Sequence, residues 1–273
     1  MLQVNPYSHL YIYYLQGRLA PEASISSEFF IGNWEEDGYS FLFFSKPCPR
    51  EIENVLIYQS ELTLLDKYHM TYEQWLGENF SGFRAGRFFI APPWVNREIN
   101  TEDIKILLHP GLVFGSGTHP TTRGCLRALE FIFDNASIQT AIDLGAGTGL
   151  LSLAAAKLGC KKILSVDANG LAAKTALNNV YLNELEKQIC IIQGAADDWI
   201  DRPAELLTAN IHYDVMKRLI ISDGFSKKKW FVLSGLLRSE AKDVETTLSR
   251  YSLKMLKLWK NDEIWHTFCG KTG

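Results

Sequence analysis

Residues 141–151 read AIDLGAGTGLL, and this stretch decides the fold. It opens on a short apolar run holding Asp143, then places Gly145, Gly147 and Gly149 at alternate positions, and continues as LLSLAAAKL to Gly159. The first run reads as a buried strand, and the Leu/Ala run as a helix stopped by a C-terminal glycine. Glycines between a strand and a helix let the backbone turn sharply and let a ligand approach where a Cβ would stand. Outward from there, KILSVD is a second strand, residues 170–183 a helix, and CIIQG, LLTANI and WFVLSGL further strands with helical stretches between them. Upstream, His119-Pro-Thr-Thr signals a helix over 119–133, with Thr121 and Thr122 as first-turn or capping residues and Leu126, Leu129 and Phe133 on one stripe. Strands alternating with helices predict an α/β fold with a doubly wound parallel sheet. The tail differs: SLKMLKLW and EIWHTFCG, separated by KND, predict an antiparallel pair at one edge.

The glycine spacing discriminates between ligands. A dinucleotide fingerprint is G-x-G-x-x-G, whereas here the third glycine comes one residue early and Leu150 stands at the expected position. No G-K-[ST] follows, so a Walker loop is excluded. Asp167 closes KILSVD, 22 residues after Gly145, where a carboxylate can take both hydroxyls of a ribose. Glycine loop, Asp143 and Asp167 together describe an adenosine ligand with little demand for phosphate binding, which is S-adenosyl-L-methionine. The bland alternatives are that Asp143 caps the turn and that Asp167 is an acid at a helix N-terminus.

The rest of the chain bounds the answer. Its 273 residues allow two unequal domains, and 47% hydrophobic content excludes a disordered or low-complexity protein. Twenty of the 33 aromatics fall in residues 1–100, and 14 of the 20 glycines after them. The first part reads as short strands of bulky residues at 10–14, 29–31 and 39–44, the last two joined by GNWEEDG with Asp37-Gly38 as a hairpin turn. Apolar residues at Ile52, Val55, Leu56 and Tyr58 then give helical spacing. The expected layout is a small α+β domain over 1–70, a partly extended, aromatic-packed connecting segment over 71–103 and the α/β domain over 104–273. Net charge −3 gives no electrostatic footprint for nucleic acid, and Lys227 to Lys229 reads as a solvated loop. Five scattered cysteines fit neither a disulfide framework nor a zinc site, and no metal is expected. With no signal-peptide pattern at the start and no long apolar run, a soluble, cytoplasmic, monomeric protein is expected.

HPGLVFGSGTHPTT (109–122), the glycine stretch, TANI (208–211), LSGLL (233–237) and DEIWHTFCGK near the C-terminus resemble, in order, the signature of the PrmA family, methyltransferases of ribosomal protein L11. GRFFIAPPW is similar to that family's approach to its catalytic domain. The resemblance covers about residues 75–273 and weakens over 1–74. It implies a class I methyltransferase with a seven-stranded sheet whose last strand inserts antiparallel, using S-adenosyl-L-methionine to methylate lysine side chains and the α-amine of a basic ribosomal protein. Implied cofactor contacts are Thr122, Gly145, Asp167 and Asn210, beside Asp143, Gly147 and Gly149 from the reading of the glycine loop itself. The loop holding Phe114, Gly117 and Thr118 folds over the methionine end, with Ser116 at a position where the family has threonine. Residues 1–70 become the substrate-recognition domain.

The chemistry this implies needs little apparatus. The sulfonium is an activated leaving group, so alignment carries the reaction. The amine must be neutral: a lysine near pKa ~10.4 is almost wholly protonated at neutral pH, an α-amine near ~8 much less so. A desolvated aromatic site lowers a lysine's pKa without a dedicated base. Asn210 sits at the end of LLTANI, where aminomethyltransferases place an Asn or Asp beside the target nitrogen, and its amide oxygen, or nearby backbone carbonyls, are the expected acceptors. His119 is the candidate general base, with a structural helix-start role as its alternative. Cys125 reads as a core residue. HYDVMKRL follows Asn210 without the family's usual proline, and lacks the Pro-Pro of DNA amino-methyltransferases, so His212 and Tyr213 read as loop residues or as contacts to a different substrate. Two other readings stay open: a methyltransferase of this fold acting on another protein's lysines or a small amine, and a cofactor-binding protein without transferase activity.

Overall fold

The computed structural model describes residues 7–20, 25–77, 82–95, 102–113, 115–251 and 253–272. The chain divides into two compact units, residues 1–80 with 169–171, and residues 81–168 with 172–273.

The first unit contains β1 (His9–Gln16), β2 (Phe30–Glu36), β3 (Tyr39–Phe44), α1 (Pro49–Tyr58), β4 (Thr63–Thr71) and α2 (Tyr72–Leu76). Its antiparallel sheet has the order β2-β3-β1-β4. Asp37 and Gly38 have φ of 49° and 84°, the two positive values a tight hairpin turn requires. β2 runs on to Glu36, so most of GNWEEDG is strand rather than loop. Tyr13, Leu15, Leu42 and Phe44 pack on Ile52 and Val55 of α1. Tyr58, expected on the same stripe, is 86% exposed, and Gln59 is buried instead. At about 100° per residue, position 59 comes back into line with 52 and 55, whereas position 58 lies about 240° round from 52. β4 was not legible as a strand. It is an edge strand, mostly exposed, with no alternation in TLLDKYHMT.

The second unit begins with β5 (Phe83–Ala85), β6 (Phe88–Ala91) and β7 (Ile104–Leu107), which form a three-stranded sheet. Then follow α3 (Pro120–Asn135), β8 (Thr140–Leu144), α4 (Leu150–Lys157), β9 (Lys162–Asp167), α5 (Gly170–Leu182), β10 (Ile189–Gln193), α6 (Ala196–Trp199), β11 (Leu206–Asn210), α7 (Tyr213–Ile220), α8 (Asp223–Ser226), β12 (Trp230–Leu237), α9 (Arg238–Arg250), β13 (Lys254–Asn261) and β14 (Trp265–Lys271). The seven-stranded order is β10-β9-β8-β11-β12-β14-β13. β8 to β12 are parallel, and β14 inserts antiparallel between β12 and β13. The doubly wound sheet and the antiparallel tail expected from sequence are both present.

Side chains of β8 alternate between two cores, as a sheet covered on both faces demands. Ala141 joins Leu126 and Leu129 of α3 and Leu153 of α4. Ile142 and Leu144 join Met216 and Leu219 of α7 and Val244 of α9. Cys125 is in the first core, where burial pushes its thiol up to about 12 and leaves it unreactive. The Lys227–Lys229 run is not wholly solvated. Lys228 is 1% exposed, and its Nζ donates to the carbonyls of Ile200 and Arg202, both at 2.6 Å. Two carbonyl acceptors make that burial tolerable. Among the described residues no helix is long and apolar enough to cross a membrane.

Candidate functional site

Strand order reverses between β8 and β11, and in open α/β sheets the crevice at the carboxyl ends of such strands is where ligands bind. The glycine turn leaves β8 there. Gly145 and Ala146 N–H both donate to the Val166 carbonyl, at 2.8 and 3.0 Å. Gly145 has φ of 81°, and a Cβ on it would stand 2.0 Å from Cγ2 of Ile211, so only glycine fits. Gly149, also at φ 81°, is the residue before α4. Asp167, at the end of β9, accepts the Gly147 N–H on Oδ2 at 2.8 Å. The two sequence signals, loop and acid, are therefore one assembly.

Asp143, expected among the cofactor contacts, lies beneath that assembly. It is 1% exposed; Oδ1 accepts from Thr208 Oγ1 and Oδ2 from Ser152 Oγ, each at 2.7 Å. Burial pushes its carboxyl above the usual range, with the two hydroxyls pulling the other way. The side chain thus ties β8 to β11 and to the first turn of α4, and supports the loop rather than facing a ligand.

Asn210 ends β11, and its Nδ2 donates to Thr121 Oγ1 at 3.3 Å. The Thr121 hydroxyl in turn lies 2.7 Å from Nδ1 of His119, which also accepts the Thr121 backbone N–H at 3.3 Å. That second bond makes Nδ1 an acceptor, so the hydroxyl donates to it and must accept from Asn210. The chain of bonds fixes which way the Asn210 amide points. Its Oδ1 is buried with no partner among the described residues, and so is Oγ1 of Thr122, one residue further into α3. His119 is the N-cap of α3, and Trp265 stands edge-on to its ring at 5.0 Å. Burial holds its pKa below the ordinary imidazole value, with Asp262 pulling the other way.

The loop between β7 and α3 is fastened to the glycine turn from two sides. Thr148 Oγ1 donates to the Gly115 carbonyl at 2.6 Å. Asn179 of α5 accepts the His109 N–H at 2.7 Å and donates to the carbonyls of His109 and Thr148, both at 2.9 Å. One turn later Asn183 makes the same two-way pairing with Leu107, at 3.0 and 2.6 Å. Gly117 is buried where a Cβ would strike Phe83 and Leu150, and Thr118 is exposed with its hydroxyl 3.1 Å from Ser116. Phe114 lies outside the described residues.

Thr121, Thr148, Ser152, Asn179 and Thr208 were not singled out as site residues from sequence. Only Thr121, beside the histidine of a helix start, carried a local signal. Past Asn210 the chain is not the loop expected from sequence: His212 caps α7 by accepting the Asp214 N–H, and Tyr213 is the first residue of that helix and donates to Asp243, whose carboxylate pushes the phenol up to about 12. Among the described residues no group of three or more His, Cys, Asp or Glu is placed to hold a metal ion.

The sequence model described as ribosomal protein L11 methyltransferase (PrmA) matches residues 54–272. A ribosomal protein L11 methyltransferase of Clostridium botulinum is 35% identical over 187 residues, 68% of this chain and 58% of the relative. One from Halalkalibacterium halodurans is 35% identical over 161 residues, 58% of this chain and 51% of the relative. The chain thus spans between half and three fifths of the length of these curated relatives. A crystal structure of a ribosomal protein L11 methylase from Lactobacillus delbrueckii subsp. bulgaricus superposes with a TM-score of 0.63 at 24% identity, covering 70% of this chain and 98% of that one, a likeness of fold. On the extent of the sequence match, the chain belongs to the ribosomal protein L11 methyltransferase (PrmA) family.

Proposed function

We propose that this protein transfers methyl groups from S-adenosylmethionine to amino groups of a protein, lysine side chains and the α-amine, and that the substrate is ribosomal protein L11. The observation that carries the reading is that two of the four buried side-chain atoms without partners among the described residues, Asn210 Oδ1 and Thr122 Oγ1, stand at the end of β11 and in the first turn of α3, while the glycine turn that carries an acid leaves the adjacent strand β8. A buried polar atom left unpaired costs about 1–3 kcal/mol, so such atoms mark where a ligand completes the structure. The donor set suits an S-adenosyl group: Asp167 for the ribose hydroxyls, the open glycine turn beside it, and neutral acceptors for amine hydrogens.

When bound, the cofactor supplies a methyl group on a sulfonium. Asn210 Oδ1, oriented by Thr121, accepts a hydrogen of the target amine and aims its lone pair. His119 acts as a positioning residue, because Nδ1 is taken up by Thr121. Asp143 and Thr148 hold the glycine turn and its overlying loop. Residues 1–70 are proposed as the substrate-recognition domain, and the protein as a monomer in the cytoplasm. Because the family match begins at residue 54, a second reading keeps the reaction and changes the target to lysines of another basic protein.

Mass spectrometry of purified ribosomal protein L11 after incubation with enzyme and cofactor tests the substrate. Asp167→Ala should abolish cofactor binding in calorimetry, and unchanged affinity would sink the site assignment.

A further inference from the structure

Residues 1–80 carry eleven acidic and four basic side chains, a formal −7, whereas residues 81–273 carry 20 and 24, a formal +4. The near-neutral total conceals this asymmetry. The charge is joined to an aromatic surface. In the order β2-β3-β1-β4, Trp34 pairs with Phe41, Phe41 with Tyr14 and Tyr14 with Asp66, so the four side chains form one row across one face of the sheet. The neighbouring row holds Glu36 opposite Tyr39. Tyr14 stacks on Phe41 at 4.6 Å with the rings 11° apart, and Tyr39 lies 5.3 Å from Tyr14. These aromatics are half-buried, Glu36 and Asp66 are exposed, and neither row holds a basic residue.

We infer that this face docks a lysine- and arginine-rich segment of the protein substrate. Aromatic faces attract cations through their quadrupoles, and the two carboxylates at the ends of the rows supply the complementary charge. A nucleic acid is opposed by the sign of the charge. The inference rests on the proposed protein-methylating activity, but apart from Asp66 the side chains of this face lie in residues 1–53, outside the family match. It gives that part a substrate class: basic polypeptide.

The test uses the full chain and three readouts. A fluorescently labelled synthetic lysine-rich peptide and a glutamate-rich peptide of equal length are titrated against wild type, the Glu36→Lys/Asp66→Lys variant and Tyr14→Leu. KM, kcat and cofactor affinity are then compared on ribosomal protein L11. The lysine-rich peptide should bind, more weakly as salt rises, and the glutamate-rich one should not. Charge reversal should weaken peptide binding by about tenfold or more, raise KM alike, and leave kcat and cofactor affinity unchanged. Tyr14→Leu should weaken binding with less change in salt dependence. Equal affinity of both variants and wild type would overturn the inference. So would a salt-sensitive dimer in sedimentation that charge reversal abolishes, which would give the face to a second copy. Peptide binding that depends on Glu36 and Asp66 without methylation of ribosomal protein L11 would sustain the docking face and remove the proposed substrate.

Discussion

Thr148→Val isolates the fastening between the glycine turn and the loop above it. Threonine and valine have nearly the same shape, so the change removes one hydroxyl, the donor to the Gly115 carbonyl at 2.6 Å. The Thr148 side chain is 0% exposed, so the substitution acts through the fastening and not through a lost ligand contact. A net hydrogen bond contributes about 1 kcal/mol, and an acceptor left unpaired adds about 1–3 kcal/mol more. Gly115 is only half-buried, so water offsets part of that cost, and roughly 1–2 kcal/mol is expected. In a unit of this size each kcal/mol lowers Tm by about 2–4 °C, so Tm should fall by roughly 2–8 °C. If the bond also orders the loop for ligand binding, the same energy appears in ligand affinity, a loss of about 5–30-fold. Calorimetry with S-adenosylhomocysteine and thermal melts read the two effects separately, and Thr148→Ser, which keeps the hydroxyl, should restore both. A lower Tm with unchanged affinity would refute the coupling of loop to site.

Buried groups set two further outcomes. Burial lowers the pKa of His109, so the unfolded chain binds the proton more readily; its contribution to stability is intact above about pH 6.5 and lost as pH falls below it. Asp143, with a raised carboxyl pKa, acts in the opposite direction, so the check is His109→Asn, which retains Asp143: Tm against pH should flatten, and an unchanged slope contradicts the argument. Lys228→Met orphans the carbonyls of Ile200 and Arg202 and should cost roughly 2–5 kcal/mol in urea unfolding; an unaffected midpoint would mean that the run is solvated after all.

How much of this was legible depends on the range of the interaction that defines each part. The glycine turn, its flanking strand and helix, and the tail hairpin are local patterns, and the structure places all of them where residues 141–151 and 253–270 indicate. β4 carries no period, because an exposed edge strand has no buried face to impose one. In the site, glycines and acids stand out because few other residue types do their work. The partners that orient them do not. Thr121 meets Asn210 across 89 positions, Asn179 meets His109 across 70 and Thr208 meets Asp143 across 65. Each is an ordinary polar residue in an ordinary helix or strand until the fold brings its partner up. For the same reason Asp143 was placed in the right assembly but on the wrong side of it.

The neutrality of the unpartnered acceptors is the feature most specific to amine chemistry. Asp143 is sealed beneath the loop and Nδ1 of His119 is occupied, which leaves, of the side chains joined at the start of α3 and the end of β11, Asn210 Oδ1 and Thr122 Oγ1 as buried oxygens without a partner among the described residues. A neutral oxygen accepts a hydrogen from an amine without holding it as an ammonium, whereas a carboxylate at the same place favours the protonated form, which has no lone pair to attack with. Asn210→Asp should therefore shift the pH–rate profile alkaline by about one unit, reducing the rate about tenfold at neutral pH and recovering it above the shifted pKa. Asn210→Ala, which removes the acceptor and adds no charge, should instead depress the rate across the whole range. Parallel profiles for the two variants would show that the residue serves only to shape the site, and the mechanism built on its oxygen would fall.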